Sequence, residues 1–80
     1  MEKELALHVV RTAFASAGKL EELLPLLKEH CGEEEGESYG MAIASVIAHI
    51  HRELTNKVFS SHPEVEEEIE KRMSRYGQVL

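Results

Sequence analysis

From Ala6 to Leu27 an apolar residue stands at every third or fourth position, and that spacing allows the stretch only one regular form. Ala6, Val10, Ala13, Ala17, Leu20, Leu24 and Leu27 recur at alternating spacings of four and three, the period of a helix packed along a seam. Leu5, Leu7, Val9 and Phe14 flank the seam and widen the apolar arc to roughly 200° at 100° per residue. An arc that wide touches more than one neighbour. Gly18 and Pro25 interrupt the pattern. Pro25 lacks a backbone donor and its ring crowds the preceding turn, which predicts a kink or a break between residues 18 and 25. The register runs on across both positions, favouring a kink or two helices in line over a reversal. Gly32 is placed as the stop.

A second helix is expected over 33–59. Glu33, Glu34, Glu35 and Glu37 fall in its first turns, where the helix dipole favours negative charge. Tyr39, Ile43, Val46, Ile47, Ile50, Leu54 and Val58 form its stripe. Met41, Ala48 and Phe59 lie about 160° away; apolar residues there are scattered exposures or a contact with another chain. A third helix is expected over 62–76. Ser61 and Glu64 read as a capping box with Pro63 in the first turn, and Gly77 as the stop, with Val79 and Leu80 folding back on it. No segment alternates like a strand. Small residues cluster at 13–18 and 42–48, permitting close helix approach, although Ala is also the best helix former.

Size and composition limit how such helices are held together. At 80 residues and 9.0 kDa the chain is one domain that buries only about 60% of its unfolded surface. Its one Cys forms no internal disulfide and no Cys pair exists for a structural zinc. Self-association is the device left. The fifteen acids are all Glu and the net charge is −6, which suits helices, removes Asp-dependent calcium and phosphoryl-transfer motifs and argues against nucleic-acid binding. No apolar run approaches the roughly 20 residues of a membrane span. The start, Met1-Glu2-Lys3-Glu4, lacks the features of a secretory signal. A soluble protein of the reducing cytoplasm is expected.

Chemistry-bearing residues are sparse. Of the five His, none has a Glu three positions before it, so the di-iron signature is missing, as is HExxH. His49 with Glu53, and Glu4 with His8, share a helix face at i,i+4 and would contribute metal ligands if a second chain supplied more. His51 sits about 80° from the centre of its stripe, the position of a His that packs its ring and points a nitrogen at a backbone carbonyl. Cys31 beside His30 lies at a helix end, which raises a thiol's pKa, unless a helix starting just after it reverses the sign. The Glu runs steer a basic partner or simply solvate the surface.

Ser38, in Gly36-Glu37-Ser38-Tyr39-Gly40-Met41, raises a further reading. An acidic helical chain with a Ser near the start of its central helix is similar in outline to acyl carrier proteins, which carry a phosphopantetheine arm on a Ser in an Asp-Ser-Leu context. Both neighbours of Ser38 depart from that pattern, so the resemblance covers one residue and gross composition. Small acidic immunity-type inhibitors of basic toxins are a similar outline match without a motif.

The reading that follows is all-α. Two long helices form an antiparallel hairpin, the first kinked near Gly18 and Pro25, with a shorter helix packed across one end. Two copies dimerise into a four-helix-bundle-like core through Leu7, Val10, Phe14 and Leu24. The expected role is an acidic homodimeric interaction or regulatory module without catalysis, cofactor or metal, whose partner is itself or another protein, not nucleic acid or membrane. The alternatives are a metal- or ligand-carrying bundle using His49, Glu53 and His8 across the dimer, and a carrier with an arm on Ser38.

Overall fold

The computed structural model describes residues 1–77, and every regular element among them is helical. Helices α1 (Lys3–Glu21) and α2 (Leu23–His30) make one arm. They meet at Glu22, whose backbone stays near helical at φ −62° and ψ −20°, so the interruption bends the arm without reversing it. Pro25 sits in the first turn of α2, where its missing N–H costs no intrahelical bond.

The chain turns back over two residues. Cys31 is extended, and Gly32, with φ −62° and ψ 159°, is the N-cap of α3 (Glu33–Ile50). Gly32 therefore opens the next helix instead of stopping the last one from a left-handed position, and its carbonyl accepts the Gly36 amide at 2.8 Å. Gly36 lets the two arms approach. A Cβ there would stand 3.4 Å from the Leu27 carbonyl oxygen.

Helix α3 runs without a break through a π turn (His51–Thr55) into α4 (Asn56–Ser61). The Asn56 amide donates to the His51 carbonyl, five residues back. One extra residue in the turn sets the following side chains back by about 100° from a 3.6 period. Two expectations change with it. Leu54, placed in the stripe by a straight period, is 47% exposed; Thr55 is 3% exposed in its stead. Phe59 swings from the far side to pack half-buried against the core.

Helix α5 (Pro63–Tyr76) begins from His62, with no side-chain cap. The capping box of Ser61 and Glu64 does not form, because Pro63 drives the residue before it out of the helical region and the break falls at His62. Ser61 closes α4, its hydroxyl donating to the Lys57 carbonyl at 3.2 Å. Gly77 stops α5 at φ 72°, its amide reaching the Met73 carbonyl at 2.9 Å; the residue there must tolerate a left-handed backbone. Val79 and Leu80 lie outside the described residues.

Helix α5 runs along α1 in the same direction and does not cross its end. His62 Nε2 donates to the Met1 carbonyl at 2.9 Å, Lys3 pairs with Glu68 at 3.7 Å, and Met73 and Gly77 come beside Phe14 and Gly18. The core lies where three helices meet: Ala6 and Val10 of α1, Val58 of α4, Val65 and Ile69 of α5, with Leu7, Val9, Phe14 and Phe59 packed on it. Beyond the end of α5, α2 and the start of α3 continue as a bare pair. No residue of α2 is buried, and Ile43 is the buried residue of α3. The result is a slab of 45 × 25 × 15 Å with a radius of gyration of 14.9 Å, against about 12 Å for a compact chain of this length.

Candidate functional site

The hairpin has two broad faces, and they differ. At 100° per residue, Lys3, Leu7, Arg11, Phe14 and Glu21 turn to the side of α1 where α5 lies. Gly40, Ala44 and His51 turn to the same side of the second arm. This covered face is charged: Lys3, Glu4, Arg11, Glu68 and Arg72 line the groove between α1 and α5. The opposite face has no helix on it among the described residues. It presents Leu5, Val9, Thr12, Ser16, Leu20, Leu23 and Leu27 along the first arm, with no Lys, Arg or Glu in that succession, and Glu35, Tyr39, Ala42, Val46, His49 and Ile50 along the second, with Glu53 at its edge. Leu5 is 51% exposed, Tyr39 54% and Val46 49%. A shallow hollow of about 370 Å³ lies on its outer edge between Val46, Ile50 and Leu54.

On the covered face, the ring of Phe14 meets the His51 ring edge-on, with centroids 5.1 Å apart at 88°. His51 Nδ1 lies 3.1 Å from the Thr55 hydroxyl, which satisfies a polar side chain buried in the core. The boundary His thus packs its ring as its position predicts, with a side-chain hydroxyl as partner in place of a backbone carbonyl. A cleft of about 490 Å³ opens beside this pair between Arg11, Glu21 and Met73. Further along, past the end of α5, a hollow of about 550 Å³ is lined by Leu24, Pro25, Ile43, Ala44 and Ile47.

The expected interface residues separate. Val10 is fully buried in the monomer's own core, so it has no surface to give a partner. Leu7 and Phe14 are half-buried against that core on the α5 side. Leu24 is exposed and lines the hollow past α5. The arc of α1 is wide because α1 has two neighbours within its own chain. Sequence reasoning missed Val9, Leu20, Leu23, Tyr39 and Val46 as a surface; the signal was the absence of charge along that one strip.

Residues proposed for chemistry remain apart. His49 and Glu53 are both exposed, 3.9 Å from each other, and an Arg52 guanidinium nitrogen lies 2.6 Å from His49 Nδ1. No group of three metal-ligating side chains forms among the described residues. His8 is exposed on the outward side of α1, and Ser38 is exposed in α3. Cys31 is half-buried. Hydrogen bonding to Glu35, with burial and that carboxylate's charge, pushes its thiol pKa up, so the thiol is not activated. Glu68 is the second perturbed group. Hydrogen bonding to Arg72 holds its carboxyl below the usual range, against a desolvation push upward and with help from Lys3.

No helix among the described residues is long and apolar enough to cross a membrane. Comparison with protein-family models, curated proteins and solved structures finds no match to this chain.

Proposed function

We propose that the chain is a small acidic interaction module that works as a homodimer in the cytoplasm, with binding as its activity and no catalysis of its own. The observation that supports this reading is its surface. The chain exposes 5941 Å², whereas a compact monomer of 9.0 kDa exposes about 4,850 Å². The excess, about 1,100 Å², exceeds the roughly 800 Å² that each partner buries in a standard dimer. Area of this size, part of it apolar and uncharged, is what association removes from water.

Native mass spectrometry on protein purified without added metal tests the reading, together with the concentration dependence of the melting temperature. A dimer without extra mass and a Tm that rises with concentration are expected. A monomer at every concentration overturns it. A bound metal lost with chelator and in His49→Ala, or a covalent arm lost in Ser38→Ala, replaces it with the corresponding carrier.

A further inference from the structure

We infer that a second copy of this chain seats on the open face, arm over like arm and in opposite directions, about a two-fold axis crossing the hairpin at the level of Ser16. The inference rests on the homodimer reading and adds where the copies meet and how they are oriented. Four observations carry it. The slab is only 15 Å thick, and a second slab at the usual 8–10 Å helix spacing completes a four-helix cross-section. The surface excess is larger than the roughly 800 Å² each partner buries in a standard dimer. Each copy carries a net charge of −6, so copies meet at least cost where charge is missing, and the first-arm strip from Leu5 to Leu27 has none. A two-fold contact must also be self-complementary. About Ser16, Leu5 meets Leu27 of the second copy, Val9 meets Leu23 and Thr12 meets Leu20; on the other arm Ala42 meets Leu54 and Val46 meets Ile50. Each of these pairs brings apolar or uncharged residues together, and in the same register Tyr39 meets Lys57.

The orientation follows from the ends. Glu33, Glu34, Glu35 and Glu37 crowd the turn end of the hairpin. An axis along the slab would stack one such cluster on the other. The crossing axis sets the two clusters at opposite ends of the assembly, where they do not face each other.

Two variants and a cross-link test this. Val46→Glu places a charge on the second arm of the open face, at a half-exposed residue; it is expected to weaken the dimer at least tenfold by analytical ultracentrifugation. Met41→Glu, on the far side of α3, is expected to leave it unchanged. In a Cys31→Ser background, Ser16→Cys is expected to give covalent dimer with a short bismaleimide, and Ala15→Cys, which points away, none. A wild type that is monomeric removes the homodimer reading and this inference with it. A dimeric wild type whose Val46→Glu variant stays dimeric and whose Ser16→Cys does not cross-link leaves the homodimer and overturns the face. Dissociation by Val46→Glu without a Ser16→Cys cross-link overturns the orientation. Should Val46→Glu fail to fold, the cross-link of the folded Ser16→Cys protein decides alone.

Discussion

One seam runs the length of the first arm, and its two halves have opposite fates. At the end where α5 lies, Ala6, Val10, Ala13 and Ala17 are buried. Past it, Leu20 and Leu27 are half-buried and Leu24 is exposed. The spacing is the same throughout, so spacing does not decide burial; a third neighbour does. The residue sizes fit this division. Small side chains let α1 lie close to the second arm where the chain supplies its own cover, and larger Leu side chains stand where it supplies none. The seam therefore keeps its large apolar residues at the end that no third helix of the described residues covers.

The largest expected effect separates the two ends directly. Ile69→Ala removes three carbons from the covered core and is expected to cost about 2–4 kcal/mol in urea unfolding, a large share of what a domain this size has. Leu23→Ala on the open face is expected to cost less than about 1 kcal/mol in dilute monomer, because its side chain is already in water. The gap should narrow as protein concentration rises and a second copy covers Leu23. Equal costs at all concentrations would mean that the two ends are equally well packed.

Periodicity made the helices, the bend near Pro25 and the stop at Gly77 readable, because each follows from local rules about donors and left-handed backbone. It misplaces Leu54 and Phe59 and does not mark Thr55 as buried. The π turn that moves them has no local signature; it sits where Phe14, thirty-seven residues before His51, packs against the His51 ring. The wide arc of α1 teaches a related point: Val10 lies in the chain's own core and Phe14 packs half-buried against it, so part of that arc is filled from within the chain. Angles around a helix are local, but which neighbour fills each sector is a tertiary fact.

Glycines sharpen the comparison at the next level. Gly40 lies inside α3 at the uncovered end, and a Cβ there would meet only the Leu24 side chain, at an ordinary 3.9 Å. Gly18 lies inside α1 with nothing within 4 Å. Gly40→Ala and Gly18→Ala are each expected to stabilise by about 0.5–1 kcal/mol through helix propensity. Gly77→Ala is expected to destabilise, since its φ of 72° strains any side chain. If Gly40→Ala lowers the thermal midpoint, the hollow beside Leu24 is more tightly filled than its lining indicates.

A smaller effect lies on the covered face. Arg72 donates to Glu68 at 3.1 Å, and Lys3 approaches it at 3.7 Å. The folded-state pKa of Glu68 is lowered, so its contribution is fully present above the ordinary carboxylate value and is lost as pH falls through the lowered folded value. Both Glu68 and Arg72 keep part of their surface in water, which limits the worth of the pair to less than about 1 kcal/mol. Glu68→Gln is expected to unfold more easily than the wild type at pH 7 and to match it in strong acid. A constant difference across that range would separate the stabilisation from the charge on Glu68.

The smallest effect falls at the turn of the uncovered end and concerns reactivity alone. Cys31 is held as a thiol chiefly by its hydrogen bond to Glu35, then by burial and by the charge of that carboxylate. Glu35→Gln weakens the acceptor and removes the charge, so the thiolate fraction rises and alkylation by neutral iodoacetamide at pH 8 is expected to speed up several-fold. The crossing axis proposed for the dimer keeps the two Cys31 turns at opposite ends of the assembly. Alkylated Cys31 should therefore leave the dimer intact, whereas an axis along the slab would bring the two modified turns together and weaken it.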